Sequence, residues 1–229
     1  MRKISTKGLN QEGSINLFQN QINFKIFSPL TITFIFLANF FLWSDKLIAY
    51  PFSSYIFSRF GDEGFSLYSD FYVIFTIFNI IGFHLAKKFL NIIDIKKDMH
   101  IVQIKNLLQT IVYLTLIYIF CLGLLLFSNI LILLFTYSFI NLLGGLFIVL
   151  YTSIFLQISR TGKHENLKYW IMALSSNLAS ITLLPLGTCL SQFLSMDILI
   201  YIVISLTSLS IAFLFSSNYT IKIKKFSQF

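Results

Sequence analysis

The chain has 229 residues and a mass of 26.5 kDa, and 56% of its residues are hydrophobic while only 11% are charged. Soluble domains contain roughly 45–50% apolar and 25% charged residues, so this composition excludes a soluble protein and predicts an all-α, polytopic membrane protein. The formal net charge of +8 then indicates cytoplasmic loops beside anionic lipid headgroups, with the lipid bilayer and not nucleic acid as the partner.

Six apolar segments follow a polar, basic N-terminal tail at residues 1–28. A transmembrane helix needs about 20 mostly apolar residues, and these segments are close to that length except the fourth, which is longer. They cover residues 29–49, 66–86, 107–127, 130–157, 169–190 and 198–216. The sequence therefore predicts six transmembrane helices in a single bundle over residues 29–216, followed by a basic C-terminal tail at residues 217–229.

The connections between these segments differ in character. Residues 51–65 begin with proline and contain two glycines, which predicts a loop. Only Ser128 and Asn129 separate the third and fourth segments, which predicts a tight antiparallel hairpin. Residues 89–106 carry an apolar stripe at helical spacing, and two interpretations are open: a helix on the membrane surface, or a helical extension of the third span.

The distribution of positive charge predicts the orientation of the bundle. Fifteen of the seventeen Lys and Arg residues fall on one side of the six-helix layout, and only Lys46 and Arg59 fall on the other. Because cytoplasmic loops collect Lys and Arg, both termini are predicted to be cytoplasmic. We expect a multi-pass protein of the cytoplasmic (inner) membrane.

The residues give no support to catalysis. Motifs for nucleotide binding, zinc peptidases and serine hydrolases do not occur in the sequence. His84, His100 and His164 are dispersed, and Cys121 and Cys189 lie in apolar segments, so we predict no metal site, cofactor or disulfide. The protein is predicted not to be an enzyme.

Polar side chains within the predicted spans are the functional candidates. Ionisable residues inside a membrane are costly. Asp45 and Asp70 lie within spans and His84 lies at the inner end of one, although all three are near span ends where water is within reach. Ser176, Asn177 and Ser180 share one side of the fifth span. Two interpretations of these three residues are open: hydrogen bonds between helices, or the lining of a cavity.

Small residues and proline indicate where helices approach or bend. The Gly144-Gly145 pair in the fourth span predicts a close approach of another helix. Pro185 in the fifth span frees a backbone carbonyl one turn earlier, which is typical of a bend beside a cavity.

Several features along residues 29–190 occur in a characteristic order. Pro29 begins a span that carries Asp45 toward its outer end. The basic connection LAKKFLNIIDIKKDMHIVQIKNLL leads into the third span. The third span then runs into FSNILILLF, and LQISRTGKHENLKYWIMALSSNLASITLLPLG covers the fourth-to-fifth connection and the fifth span. This order resembles the N-terminal six-helix lobe of the multidrug and toxic compound extrusion (MATE) transporters, whose superfamily includes polysaccharide and lipid-precursor flippases.

The resemblance implies a secondary active transporter or flippase, coupled to an ion and acting on a small-molecule or lipid-linked substrate. It implies that Asp45 takes a proton or a cation, and that Asn177 forms hydrogen bonds in the same cavity. The family has two six-helix lobes and this chain has one. A homodimer, or a second transporter lobe from another chain, is therefore the expected partner.

Two alternatives remain open. A major-facilitator-type half transporter would also begin with six helices and a cytoplasmic N-terminus, but the signature that follows its second span is not found in GFHLAKKFLNII. The other alternative is a non-transporting membrane interaction protein, such as an immunity or assembly factor, whose polar side chains only hold the bundle together. An Asp45→Asn substitution would abolish transport and leave an interaction protein unaffected.

Overall fold

A computed structural model describes residues 27–92, 101–127, 129–159 and 165–221. All secondary structure in these ranges is helical, which confirms the predicted all-α class. The helices are α1 (Pro29–Leu42), a 3-10 turn (Trp43–Asp45), α2 (Lys46–Ala49), α3 (Pro51–Ile92), α4 (Ile101–Leu124), α5 (Ile130–Ser159), α6 (Glu165–Leu190) and α7 (Met196–Thr220).

Five helical stretches in the described residues are long and apolar enough to cross a membrane. Each exceeds the roughly 20 residues that a 30 Å hydrocarbon core requires at 1.5 Å per residue. They are Pro29–Asn91, Gln103–Leu124, Ile130–Ser159, Leu167–Leu190 and Met196–Thr220. The chain is therefore a membrane-embedded helical protein.

The predicted loop at residues 51–65 is wrong, because this segment is helical apart from a kink. Pro51 begins α3, as proline readily does in the first turn of a helix. Phe52 and Ile56 lie one turn apart and are fully buried, which holds the segment against the bundle. At Gly61 the φ of 66° lets the chain change direction between two helical halves.

The first and last helices run antiparallel along each other. The Thr31 hydroxyl, at the start of α1, lies 2.9 Å from the Thr220 hydroxyl at the end of α7. Near the other end of the pair, the Ser44 and Thr207 hydroxyls lie 2.8 Å apart. The beginning of α1 and the end of α7 therefore lie at the same end of the bundle.

Glycine brings α3 and α5 into backbone contact. A Cβ atom at Gly82 would overlap the carbonyl oxygen of Leu142, and one at Gly145 would overlap that of Asn79. Other contacts rise together along both helices, from Gly64 against Ile130 through Phe71 against Phe135 to Gly82 against Leu142, so α3 and α5 run parallel. The close approach predicted from the Gly144-Gly145 pair occurs here, with Gly145 at the contact.

The connection between α4 and α5 is short, as predicted for a hairpin. It covers residues 125–129, and the Asn129 side chain accepts hydrogen bonds from the backbone of Leu131 (2.9 Å) and Ile132 (3.3 Å), which caps α5. The two helices pack against each other. Ser128 lies outside the described residues.

Several other predictions fall wholly or partly outside the described residues. Residues 93–100 lie outside the described residues, so the choice between a surface helix and an extension of the third span at residues 89–106 stays a prediction. Residues 1–26 of the predicted N-terminal tail and 222–229 of the C-terminal tail also lie outside. The last helix continues to Thr220, four residues beyond the predicted end of the sixth span.

Candidate functional site

Asp45 lies where the first helical run changes geometry. It ends the 3-10 turn that separates α1 from α2, and its side chain is half-buried. The Oδ1 atom is buried and has no hydrogen-bond partner among the described residues. A buried polar atom left without a hydrogen bond inside an apolar bundle is costly, so this oxygen is the candidate atom for binding a ligand.

Two tyrosines from other helices lie near this carboxyl group. Tyr118 of α4 is 2% exposed, and its hydroxyl lies beside Asp45 in position to hydrogen-bond to it. Tyr137 of α5 lies farther along the same cluster and interacts electrostatically with Asp45 and with Tyr68. The site therefore joins one carboxyl group to hydroxyl groups that donate to a carboxylate or accept from a carboxylic acid.

Aromatic rings hold the tyrosine cluster in place. The Tyr137 ring stacks on Phe52 with centroids 4.5 Å apart and meets the edge of Phe75 at 5.0 Å. The Tyr118 ring contacts Phe147 edge to face at 5.7 Å. Such contacts fix ring positions beyond simple area burial, so the two hydroxyls are presented by a packed framework.

A second polar group lies one to two turns before Asp45. Asn39 is 3% exposed, donates a 2.6 Å hydrogen bond to the Ser175 hydroxyl of α6, and accepts one from the Trp43 indole at 3.2 Å. Asn39 and Trp43 line a cavity of about 70 Å³. The buried Tyr151 hydroxyl, which also lines it, has no hydrogen-bond partner among the described residues. This cavity has room for water but not for a drug-sized ligand.

The structure does not bring Asn177 next to Asp45. Asn177 is exposed on α6, and two helical positions separate it from Ser175, so the two side chains point in nearly opposite directions. Ser175, which meets Asn39, is the fully buried serine on the face of α6 that packs against the bundle. Ser176 lines the small cavity, while the Ser176 and Ser180 hydroxyls donate to the backbone of α6 itself.

The remaining candidates lie apart from this site. Asp70 and His84 are exposed on α3. Within the described ranges, no group of three or more His, Cys, Asp or Glu side chains is arranged to hold a metal ion. A larger cavity of about 420 Å³ between α3, α4 and α5 is lined mainly by leucines, with Lys88 as its charged residue, and does not contain Asp45.

The sequence alone did not reveal Tyr118, Tyr137 or Asn39. The available signal was position: both tyrosines lie well inside apolar helices and not at the interfacial ends where tyrosine is common. Asn39 is the amide within the apolar run that leads to Asp45. Neither signal identifies which helices meet.

Replacing Asn39 by Leu is expected to destabilise the bundle by about 1 kcal/mol. The substitution removes the hydrogen bond to Ser175 of α6 and the local one from Trp43, each worth roughly 0.6 kcal/mol within a membrane. Leucine keeps most of the side-chain volume. Unfolding of the purified protein in mixed micelles with increasing SDS measures the loss.

Ser176→Ala provides the control for this variant. The Ser176 hydroxyl donates only within its own helix, to Ala173 at 3.2 Å, so its removal should leave the unfolding free energy nearly unchanged. Equal stability of Asn39→Leu and the wild type would contradict a structural role for the Asn39–Ser175 contact.

No protein-family model, no curated protein and no solved structure matches the chain. The described residues define an all-helical, membrane-embedded protein with five helical stretches apolar enough to span a bilayer. Within it, one half-buried carboxyl group lies among tyrosines.

Proposed function

We propose that this protein is a single-lobe secondary active transporter or flippase of the cytoplasmic membrane, coupled to protonation or cation binding at Asp45. The observation that carries the proposal is the buried Asp45 Oδ1 atom, which has no hydrogen-bond partner among the described residues, in a carboxyl group that lies beside Tyr118. A purely structural carboxylate would be expected to have its oxygens satisfied. This one is poised to change its protonation or ligand state.

The position of Asp45 couples its charge to the packing of the bundle. The 3-10 turn Trp43–Asp45 interrupts an otherwise α-helical run, and such turns often mark hinges. Just beyond it, the Leu47 carbonyl of α2 touches Gly187 of α6. We expect the gain and the loss of a proton or a cation at Asp45 to favour two different arrangements of the bundle around this turn.

We also propose that the chain crosses the membrane six times and has both termini in the cytoplasm. The Thr31–Thr220 contact supports it, because an odd number of crossings would place the two ends on opposite sides of the membrane. Two crossings within Pro29–Asn91, with the turn at Tyr50 and the kink at Gly61 between them, give the even number. The distribution of Lys and Arg supports cytoplasmic termini.

A second lobe belongs to the proposal. The cavity that Asn39 and Trp43 line, at about 70 Å³, is smaller than the roughly 300 Å³ or more that ligand pockets occupy, and the cavity of about 420 Å³ is lined mainly by leucines and does not contain Asp45. A small-molecule or lipid-linked substrate would therefore pass between two lobes, as in transporters built from paired repeats. A second copy of this chain, or a separate chain, would supply the other lobe.

Reconstitution into liposomes tests the proposal. An imposed pH gradient is expected to drive ethidium across the membrane, and ethidium added without a gradient should move protons that an internal pH dye detects. Nigericin, which collapses the gradient, should stop dye movement, and protein-free liposomes give the baseline. A fluorescent phospholipid assayed by dithionite quenching tests flippase activity in parallel. Baseline behaviour of folded protein in all three assays would contradict the proposal.

A second candidate is a non-transporting interaction protein, and one observation favours it. Asn177 is exposed at the middle of α6, where a polar amide needs a partner that lipid tails cannot supply. Under this candidate, membrane partners would be retained by an Asp45→Asn variant and lost when Asn177 is replaced. Co-purification of the same membrane partner with each variant measures whether the partner is still bound.

A further inference from the structure

One face of α6 is left uncovered and has a regular spacing. Its residues recur at alternating intervals of three and four positions, and we call them the α6 stripe. The stripe consists of Leu167, Trp170, Leu174, Asn177, Ile181, Leu184 and Thr188. Trp170 is 68% exposed and Ile181 is 70% exposed, while only Leu184 is half-buried.

The opposite face of α6 is the one that packs against the bundle. Met172, Ser175, Ala179 and Leu183 are buried there, and Gly187 meets the α2 backbone at the end of the helix. The helix therefore uses one side within its own chain. The α6 stripe is not needed for the fold of the single chain, which leaves it free for a partner.

Alternation of three and four residues is the heptad spacing of left-handed helix pairs. Residues at this spacing form a continuous seam when two helices wrap around each other at a shallow angle. The same shallow crossing is common in membrane bundles. Large side chains along the first half of the seam and at Ile181 and Leu184 match the knobs that such packing requires.

Asn177 lies at the centre of this seam. Its side chain is exposed and makes no hydrogen bond with another described residue, in the thirteenth position of a 26-residue helix that is long enough to span the membrane. An amide carries both donors and acceptors, so it is complementary to itself across a twofold axis. A second copy of the chain presents an identical amide at the same depth, which a lipid tail does not.

We propose that the protein forms a parallel, twofold-symmetric homodimer through the α6 stripe, with the two Asn177 amides hydrogen-bonded to each other at its centre. Two copies inserted in the same orientation necessarily bring their α6 helices together in parallel. A central Asn in a heptad seam also fixes the register of the pair. The dimer would supply the second lobe that the proposed function needs, but it stands on the stripe and is tested without any transport assay.

Cysteine cross-linking tests the position of the interface. In a Cys121→Ala/Cys189→Ala background, an Ile181→Cys variant in native membranes is expected to form a disulfide-linked dimer on mild oxidation. The control is Leu116→Cys, which lies on α4 at a similar distance from its helix end and is 51% exposed. Because a disulfide needs Cβ atoms within about 4.5 Å, the Ile181→Cys variant should cross-link roughly tenfold faster. Equal rates would overturn the proposal.

Removal of the amide tests its energetic role. Single-molecule photobleaching of labelled protein in liposomes, over a range of protein-to-lipid ratios, measures the dimer fraction. Asn177→Leu is expected to weaken dimerisation by roughly threefold to tenfold, the range for amide hydrogen bonds between membrane helices. Thr182→Val removes a nearby exposed hydroxyl outside the stripe and should leave the dimer fraction unchanged.

Two outcomes of the photobleaching experiment would overturn the proposal: wild-type monomers at every ratio, or dimers that Asn177→Leu leaves as stable as before. Leu116, Asn177, Ile181 and Thr182 are exposed, so their replacement should leave the fold of the single chain intact, and the Cys121→Ala/Cys189→Ala background serves as the common reference for the cross-linking variants. An Asp45→Asn protein should dimerise like the wild type. Failure of transport in a protein that still dimerises would count against the proposed function alone. Monomeric protein that still transports would count against the dimer and against the need for a second lobe, but not against coupling at Asp45.

Discussion

Replacing Asp45 by Asn is expected to reduce proton-coupled flux to the level of protein-free liposomes without destabilising the protein. Asparagine has nearly the same shape as aspartate but cannot ionise, so the alternation between charged and neutral states is lost. Because the buried Oδ1 atom has no hydrogen-bond partner among the described residues, neutralising the group should leave the unfolding free energy unchanged or slightly raised. Ethidium and proton fluxes in liposomes, with unfolding in SDS, measure the two effects.

The control for this variant is Asp70→Asn. Asp70 is an exposed carboxylate on α3, and its neutralisation should leave the flux intact. Tyr118→Phe removes the hydroxyl beside Asp45 but retains the ring that packs on Phe147, so it should lower the flux only partly. An Asp45→Asn protein that transports normally, or that unfolds far more easily than the wild type, would show that Asp45 is not a coupling site.

The parts of the fold that depend only on local sequence could be predicted. An apolar run of about 20 residues indicates a membrane-spanning helix whatever surrounds it, and Ser128-Asn129 between two such runs indicates a hairpin. The segment at residues 51–65 was not predictable in this way. Its proline and glycines are equally typical of a loop, and only the burial of Phe52 and Ile56 against other helices makes it a helix.

In the candidate site, too, the residue marked by local sequence could be predicted, and those that depend on helix packing could not. Asp45 could be identified from the sequence because an ionisable residue beside an apolar run is rare and costly. The tyrosines could not, because Tyr118 and Tyr137 become its neighbours only through the packing of α4 and α5. The exposed position of Asn177 depends on the rotation of α6, and a helical sequence that is apolar on most sides does not determine that rotation.

Replacing Gly145 by Ala is expected to destabilise the protein by about 1–3 kcal/mol, the usual effect of overpacking a tight contact. The new Cβ would overlap the carbonyl oxygen of Asn79, which is backbone and has no rotamer to move away. The parallel crossing of α3 and α5 would then have to open. Gly82, on the other helix, meets Leu142 in the same way, so the two glycines form one contact. Unfolding in SDS measures the loss.

Gly123→Ala distinguishes this steric effect from the general effect of replacing a helical glycine. Gly123 lies in α4, and a Cβ atom built there meets nothing within 4 Å. Alanine favours a helix over glycine by up to about 1 kcal/mol, so this variant should be neutral or slightly more stable. A Gly145→Ala protein as stable as Gly123→Ala would contradict the close backbone crossing. Opposite signs for the two variants are expected, because the same added methyl group meets a backbone oxygen at one position and open space at the other.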